Sequence, residues 1–247
     1  MEIYGITLVL WMNIDIDIRL KKGQLGYMVI DIDKIMDGLD RNVFASELDF
    51  TIRFAQSINV LYPGAQVLGG YSPHYKSSVE KTDSEMESRI HIDLLIIYDK
   101  FVIPVELKYR TQNTIIKNFI ETTEFFPINL VLSNHSAHDY GCYGFIRDIY
   151  RVYEFIEKCE YESPEGYAVF LTNDEKYKRH PRTEKYNEFI IDDYILGHQK
   201  IRPKLLGYIN GKSKEIEYQI DDSKVVFSQW KKWKDNGFFY TKAQVTK

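Results

Sequence analysis

Hydrophobic and polar positions change period several times along the chain, and each change marks an element. Residues 3–33 hold two alternating stretches, Ile14-Asp15-Ile16-Asp17-Ile18 and Met28-Val29-Ile30-Asp31-Ile32-Asp33, around the turn-like Lys21-Lys22-Gly23-Gln24. Period two predicts a hairpin with one solvated face, and the aspartates on that face are read as surface positions without chemistry. From Asn42 to Tyr62 the period becomes helical, with Phe44, Leu48, Ile52, Ala55 and Ile58 on one stripe and Pro63-Gly64 as the stop. Residues 69–89 lack periodicity and carry many small or charged residues, which predicts a connecting loop.

Two dense apolar runs follow within Arg89–Thr111, on either side of Asp99-Lys100, and predict a pair of strands. Ile115, Ile116, Phe119, Ile120 and Thr123 suggest a helix, Ile128–Leu132 is a short apolar run, and Asn134–Glu157 carries a second helical face through Phe145, Ile149, Val152, Tyr153 and Ile156. Tyr167–Thr172 reads as a strand, and shorter strand-like runs cover Glu188–Ile195, Lys204–Ile209, Glu215–Ile220 and Lys224–Trp233. Strand, hairpin, helix, helix and strand in this order predict an α/β fold, a mixed β-sheet flanked by helices.

The paired runs at 89–111 are where chemistry enters. Asp93, Glu106 and Lys108 sit among Ile, Leu, Val, Phe and Tyr, residue types that favour a half-buried pleated surface from which charge is normally kept out. A two-residue turn at Asp99-Lys100 sets Tyr98 opposite Phe101, and the same register brings Asp93 opposite Glu106 and His91 opposite Lys108. Two carboxylates so placed repel unless a proton or a cation lies between them. Mg²⁺ accepts one or two carboxylates and keeps several waters, so the pair is a candidate divalent-metal site with Lys108 aimed at the same spot and His91 behind it. The competing account is structural: Asp93 pairs with Lys108 or Arg110, and Glu106 is a rim acid.

Composition narrows the function classes. With 32 basic and 36 acidic residues among 247, the formal charge is −4, so contact with nucleic acid requires a local basic patch rather than a basic surface. Two such patches stand out: Lys176, Lys178 and Arg179, with His180 and Arg182, and the run Gln229-Trp230-Lys231-Lys232-Trp233-Lys234, in which lysines alternate with rings able to stack bases. Solvated surface is the alternative for both. The two cysteines, Cys142 and Cys159, are too few for a disulfide framework or a zinc site and fit a reducing cytoplasm. No apolar run predicts a membrane span, and the short apolar Gly5–Met12, with no basic segment ahead of it, does not read as a signal peptide. Gly-rich phosphate loops and Gly-x-Ser-x-Gly elbows are absent from the sequence, leaving nucleotide hydrolysis and serine hydrolysis without support.

Asp93 followed by Glu106-Leu107-Lys108 on a strand hairpin resembles the core motif of the PD-(D/E)XK nuclease superfamily, with Ile92 at a position often held by proline. Ser46-Glu47 ahead of the first long helix resembles the superfamily's helical acid, although Ser46 and Asp49 also read as a capping box with Glu47 as a first-turn acid. The segment Leu132–Phe155 with Gly166–Tyr177 is similar to a bacterial nuclease-like group of unknown physiological role. Ala137, Asp139, Tyr143, Asp148, Arg151 and Glu154 match its pattern, while His138 and Cys142 replace a glutamine and an arginine. The resemblance implies a restriction-endonuclease-like core over 42–180, with a hairpin at 1–40 and a β-rich part at 181–247 as additions to one domain. It further implies Glu47, Asp93 and Glu106 as ligands of Mg²⁺ or Mn²⁺, Lys108 as the residue that orients or activates water, and hydrolysis of phosphodiester bonds, with DNA as the expected substrate. The alternative is a nuclease-fold module that no longer cuts and binds nucleic acid or a protein.

Overall fold

The computed structural model describes residues 30–74, 90–120, 128–135, 137–179, 191, 207–209, 212–214 and 221–247. The chain divides into two units, Met1–Ile30 and the compact Asp31–Lys247, and the second holds every element named below. The hairpin expected before residue 30 lies outside the described residues.

Where the alternating pattern predicts a strand through Asp33, the chain instead forms helix α1, Ile32–Asp37. Asp31 caps it by accepting from the Lys34 N–H at 3.2 Å, and Ile32, Ile35 and Met36 are buried at helical spacing, so the 3.6 period overrides the short run of twos. Asp33, expected as a solvated acid, ties α1 to the chain's C-terminal part. It accepts from Tyr240 Oη at 2.9 Å and pairs with Lys231 at 2.5 Å and Lys242 at 3.2 Å. Burial raises its carboxyl, but these partners outweigh burial and leave it below the ordinary aspartate value.

Helix α2 spans Glu47–Leu61, later than the expected start at Asn42. Ser46 accepts from Asp49 N–H at 3.1 Å and Asp49 Oδ2 accepts from Ala45 N–H at 2.9 Å, a reciprocal cap. Its buried side is Phe50, Phe54, Ser57 and Ile58, whereas Leu48 and Ile52 of the expected stripe are 68% and 47% exposed. Phe44 precedes the cap, so its phase does not carry into the helix, and two phenylalanines have more area to hide than Leu48 and Ile52. Ser46→Ala is expected to lower stability by about 1 kcal/mol, measured as a lower urea midpoint at unchanged slope.

The main sheet is mixed. Strand β2 (Ile92–Tyr98) pairs antiparallel with β1 (Gln66–Tyr71) on one side and with β3 (Phe101–Arg110) on the other, and β3 pairs in parallel with β6 (Glu165–Thr172). A parallel pair needs a crossover, and the chain supplies one through the ribbon β4 (Thr114–Ile120) with β5 (Ile128–Leu132) and helix α3 (His138–Lys158). The helix expected around Ile115 is therefore a strand: Thr114, Ile115 and Ile116 are β-branched, and Ile115 is exposed rather than seated on a core. Residue Thr123 lies outside the described residues. The loop expected from residue 69 is strand β1 up to Tyr71.

The C-terminal part, expected as an addition, enters the main sheet. After the small ribbon β7 (Gly207–Ile209) and β8 (Lys212–Lys214) come β9 (Val225–Phe227), β10 (Lys231–Trp233) and β11 (Phe238–Thr246). β11 pairs antiparallel with β6 along its length, giving the order β1-β2-β3-β6-β11-β10, with β9 also on β11. On one side α3 packs Phe145, Ile149, Val152 and Ile156 against Ala168 and Phe170. Tyr109 of β3 points to the other side, where its ring meets Phe44, Phe50 and Phe238. The class is α/β, a mixed multi-strand sheet with a few helices. No helix among the described residues is long and apolar enough to cross a membrane.

Candidate active site

The site grows out of the β2–β3 hairpin. Its turn is the two-residue Asp99-Lys100, with Asp99 at φ +54°, a conformation aspartate tolerates. Tyr98 stands opposite Phe101 and Leu94 opposite Val105, the register read from the sequence. The described ladder ends there. One residue further, Asp93 Oδ2 accepts from the Leu107 N–H at 2.8 Å, so a side chain takes the place of the next backbone bond and is fixed beside Glu106.

Successive residues of β3 face opposite ways, which sends Glu106 and Lys108 together toward α3. Lys108 Nζ lies 3.0 Å from Asp148 Oδ2 and 3.9 Å from Glu47 Oε2. Arg151, one turn after Asp148 on α3, is 3.3 Å from Asp148 Oδ1 and 3.8 Å from Glu106 Oε2. The Asp93 and Glu106 carboxyls hydrogen-bond each other. Four carboxyl groups, Glu47, Asp93, Glu106 and Asp148, thus meet Lys108 and Arg151, with Arg110 acting on Lys108 from the same strand, so acids still outnumber cations. Glu106 and Asp148 are 2% and 1% exposed, so water does little to screen these two, whereas the Glu47 side chain is 44% exposed.

The titration of the cluster follows from it. Burial, then Asp148, then Asp93 push Glu106 well above the ordinary glutamate value, with Arg151 as the opposing influence. Asp93 is raised too, by burial first and by Asp148, against the Leu107 N–H. Burial alone would lower the Lys108 ammonium, yet Asp148 and Glu47 outweigh it and hold the group above the usual lysine value, fully charged at neutral pH.

The three acids expected to share an ion are not drawn together as a triad. Among the described residues no group of three or more His, Cys, Asp and Glu side chains converges closely enough to hold a metal. Glu47 turns its Oε2 to the Tyr109 N–H at 2.9 Å. The pair Asp93 and Glu106 nevertheless fits a hard divalent cation. Glu106 Oε1 is buried and receives no hydrogen bond from an N–H or hydroxyl of the described residues, and Mg²⁺ characteristically takes one or two carboxylates, waters and substrate phosphate rather than a closed protein cage. These two residues are the ones that would hold it.

His91, expected beside Lys108, is exposed and shares a 2.6 Å hydrogen bond with Ser72 Oγ through Nδ1. The basic patches are largely engaged within the protein. Lys231 pairs with Asp33, and Lys232 with Asp235 at 2.7 Å. Trp233 is buried, and Trp230 donates to the Ile191 carbonyl at 2.7 Å. Lys178 lies 4.6 Å over the Phe239 ring, Arg179 pairs with Glu175 at 3.0 Å, and Lys176 is exposed; His180 and Arg182 lie outside the described residues.

No family model matches the chain, and no curated protein or solved structure matches it either. The chemistry of the site therefore rests on its own residues. Asp148 and Arg151 are the members that the hairpin alone does not reveal; their i, i+3 spacing on an amphipathic helix was the available signal, and it reads equally well as a local pair. In the fold they do pair, and the same two side chains reach across to Lys108 and Glu106. His138, at the position where the nuclease-like group has glutamine, forms a 2.5 Å pair with Asp174 instead of entering the cluster.

Proposed function

We propose that the chain is a metal-dependent nuclease of the PD-(D/E)XK type, with a restriction-endonuclease-like core, acting on phosphodiester bonds and most naturally those of DNA. The observation that carries the reading is the pair of part-buried Asp93 and buried Glu106, whose Oε1 no N–H or hydroxyl of the described residues reaches, inside a cluster where acids outnumber cations. Such an arrangement is costly as pure structure, and a divalent cation with a phosphate relieves it.

Mg²⁺ or Mn²⁺ held by Asp93 and Glu106 would supply charge against the phosphate oxygens and acidify a bound water. The protein's own groups do the positioning. Leu107 N–H fixes Asp93, and Arg151 steadies Glu106 from α3. Asp148 and Glu47 hold the Lys108 ammonium charged beside the pair, where it donates to the attacking water or to the phosphate oxygen on which charge grows. Hydrolysis joins the water oxygen to phosphorus and releases a sugar oxygen, which leaves with a proton.

The test is incubation of supercoiled, linear and single-stranded DNA and of RNA with the purified protein in Mg²⁺ or Mn²⁺, with and without chelator. Cleavage is expected only with metal, and Lys108→Met is expected to slow it about a hundredfold. If the wild-type protein leaves every substrate intact with either metal, the catalytic reading falls, and a non-cutting module that binds nucleic acid or a protein is what remains.

A further inference from the structure

The largest departure of α2 from its expected packing lies next to the candidate site. Leu48 and Ile52, exposed on the helix, form one wall of a groove of about 540 Å³ whose other side is strand β1 at the edge of the sheet. Asp93 and Glu47 both open into it. A cavity of about 630 Å³ elsewhere, floored by Leu95, Val102 and Phe155, has none of the site residues in its wall.

The lining of the groove is chemically specific. No lysine or arginine contributes to it among the described residues, so it is not a track for phosphates. The β1 side is flat, because Gly69 and Gly70 are consecutive. A Cβ added at Gly70 would meet nothing within 4 Å, and one at Gly69 would come no closer than 4.0 Å, to the Asp93 carbonyl. Gln56 and Asn59 add amides, of which the Gln56 oxygen already accepts from Arg53 at 3.1 Å. A flat floor, an aliphatic wall and two side-chain amides suit an uncharged planar group with hydrogen-bonding edges. Glu47 and Asp93 in the same lining make the groove continuous with the candidate site.

We infer that this groove receives an unpaired nucleobase adjoining the scissile phosphate, so that the substrate is single-stranded or frayed at the cleavage point. The inference rests on the nuclease reading for the position of the phosphate. A base in a duplex has its faces stacked and its Watson–Crick edge paired, whereas an unpaired base can lay a face on the flat floor and offer that edge to the amides. The preference for unpaired strands thus comes from the base, not from backbone charge.

The experiment measures binding, with Lys108→Met protein in Mg²⁺, which keeps both carboxylates that would hold the ion while cutting is slowed about a hundredfold. Its probes are a short fluorescent DNA single strand, the blunt duplex of the same sequence, and an abasic strand of equal length. The expected result is about tenfold tighter binding of the single strand than of either other probe, abolished when Gly69→Leu is added. Gly69 does not share the positive φ of Gly70, so leucine there fills the groove without backbone strain. Ile52→Ser, at an exposed helix position, is the second variant and is expected to reduce the preference severalfold even if Gly69→Leu does not fold.

Equal binding of the three probes, no binding of any, or a preference untouched by Ile52→Ser and by a folded Gly69→Leu would overturn the inference. Wild-type cleavage assayed in parallel separates the two readings. Cutting without strand preference keeps the nuclease and removes the base groove, while a Gly69-sensitive strand preference without cutting does the reverse.

Discussion

Trp233→Ala is expected to destabilise the protein by about 3–5 kcal/mol, the range for removing a fully buried large aromatic. Trp233 is 1% exposed, stacks on Phe44 at 5.5 Å, meets Phe238 edge-on and donates its indole N–H to the Met36 carbonyl at 2.9 Å. Alanine opens a cavity between α1, β10 and β11 and also strands that carbonyl, which adds a desolvation cost. Trp233→Phe keeps most of the ring and loses only the donor, so a loss of about 1–2 kcal/mol is expected from it. Urea unfolding of the three proteins checks both values, and equal stability of wild type and Trp233→Ala would refute the assignment of this residue to the core. The effect reaches the site through a short path: Phe44 packs on Tyr109 and accepts its hydroxyl proton at 2.9 Å, and the Tyr109 N–H is what holds Glu47.

That same tryptophan shows why the C-terminal segment misleads when read as sequence. Alternating Trp and Lys over 229–234 is compatible with a nucleic-acid surface, and only the fold reveals that Asp33, 198 residues before Lys231, is the lysine's partner. Long-range ion pairs leave no periodic signal. Strand β11 is hard to see for a related reason, since Phe238–Thr246 is buried on both faces toward its start and so lacks a clean alternation. By contrast α3 and β6 are legible, because Phe145, Ile149, Val152 and Ile156 keep strict helical spacing and Tyr167–Thr172 is a continuous apolar run between turn residues.

In the candidate site, the hairpin register is legible because one tight turn fixes every pair up the ladder, and it holds from Tyr98–Phe101 to Leu94–Val105. It fails at His91 because Asp93 breaks the ladder with its own side chain, a local event that register counting cannot anticipate. Phe44 gives the wrong phase for α2. The misplaced stripe hides the exposed Leu48 and Ile52, and with them the groove beside Asp93.

Glu106→Gln is expected to reduce cleavage about a thousandfold and at the same time to make the metal-free protein more stable at neutral and alkaline pH. Glutamine keeps the shape of the side chain but removes a buried acid from the cluster, so the repulsion from Asp148 and Asp93 is relieved, while Arg151 keeps Asp148 as its partner. The sign of the pH dependence follows from the raised pKa. Between the unfolded value near 4.5 and the higher folded one, the native state holds a proton that the unfolded state has released, so stability falls as pH rises through that window. Asp93 acts in the same direction, whereas Asp33, held low, contributes stability that is lost only as pH falls through its folded value. Melting temperatures of the metal-free wild type should therefore decline relative to Glu106→Gln as pH rises above the ordinary glutamate value. Mg²⁺ or Mn²⁺ should restore the wild type and leave the variant nearly unchanged, because a cation that binds only the native state stabilises by mass action and needs both carboxylates to bind. A variant that melts in parallel with the wild type at every pH, with and without metal, would show that Glu106 carries neither the strain nor the cation. A variant that loses cleavage while gaining metal-free stability would show one buried acid retained for chemistry against the interest of the fold.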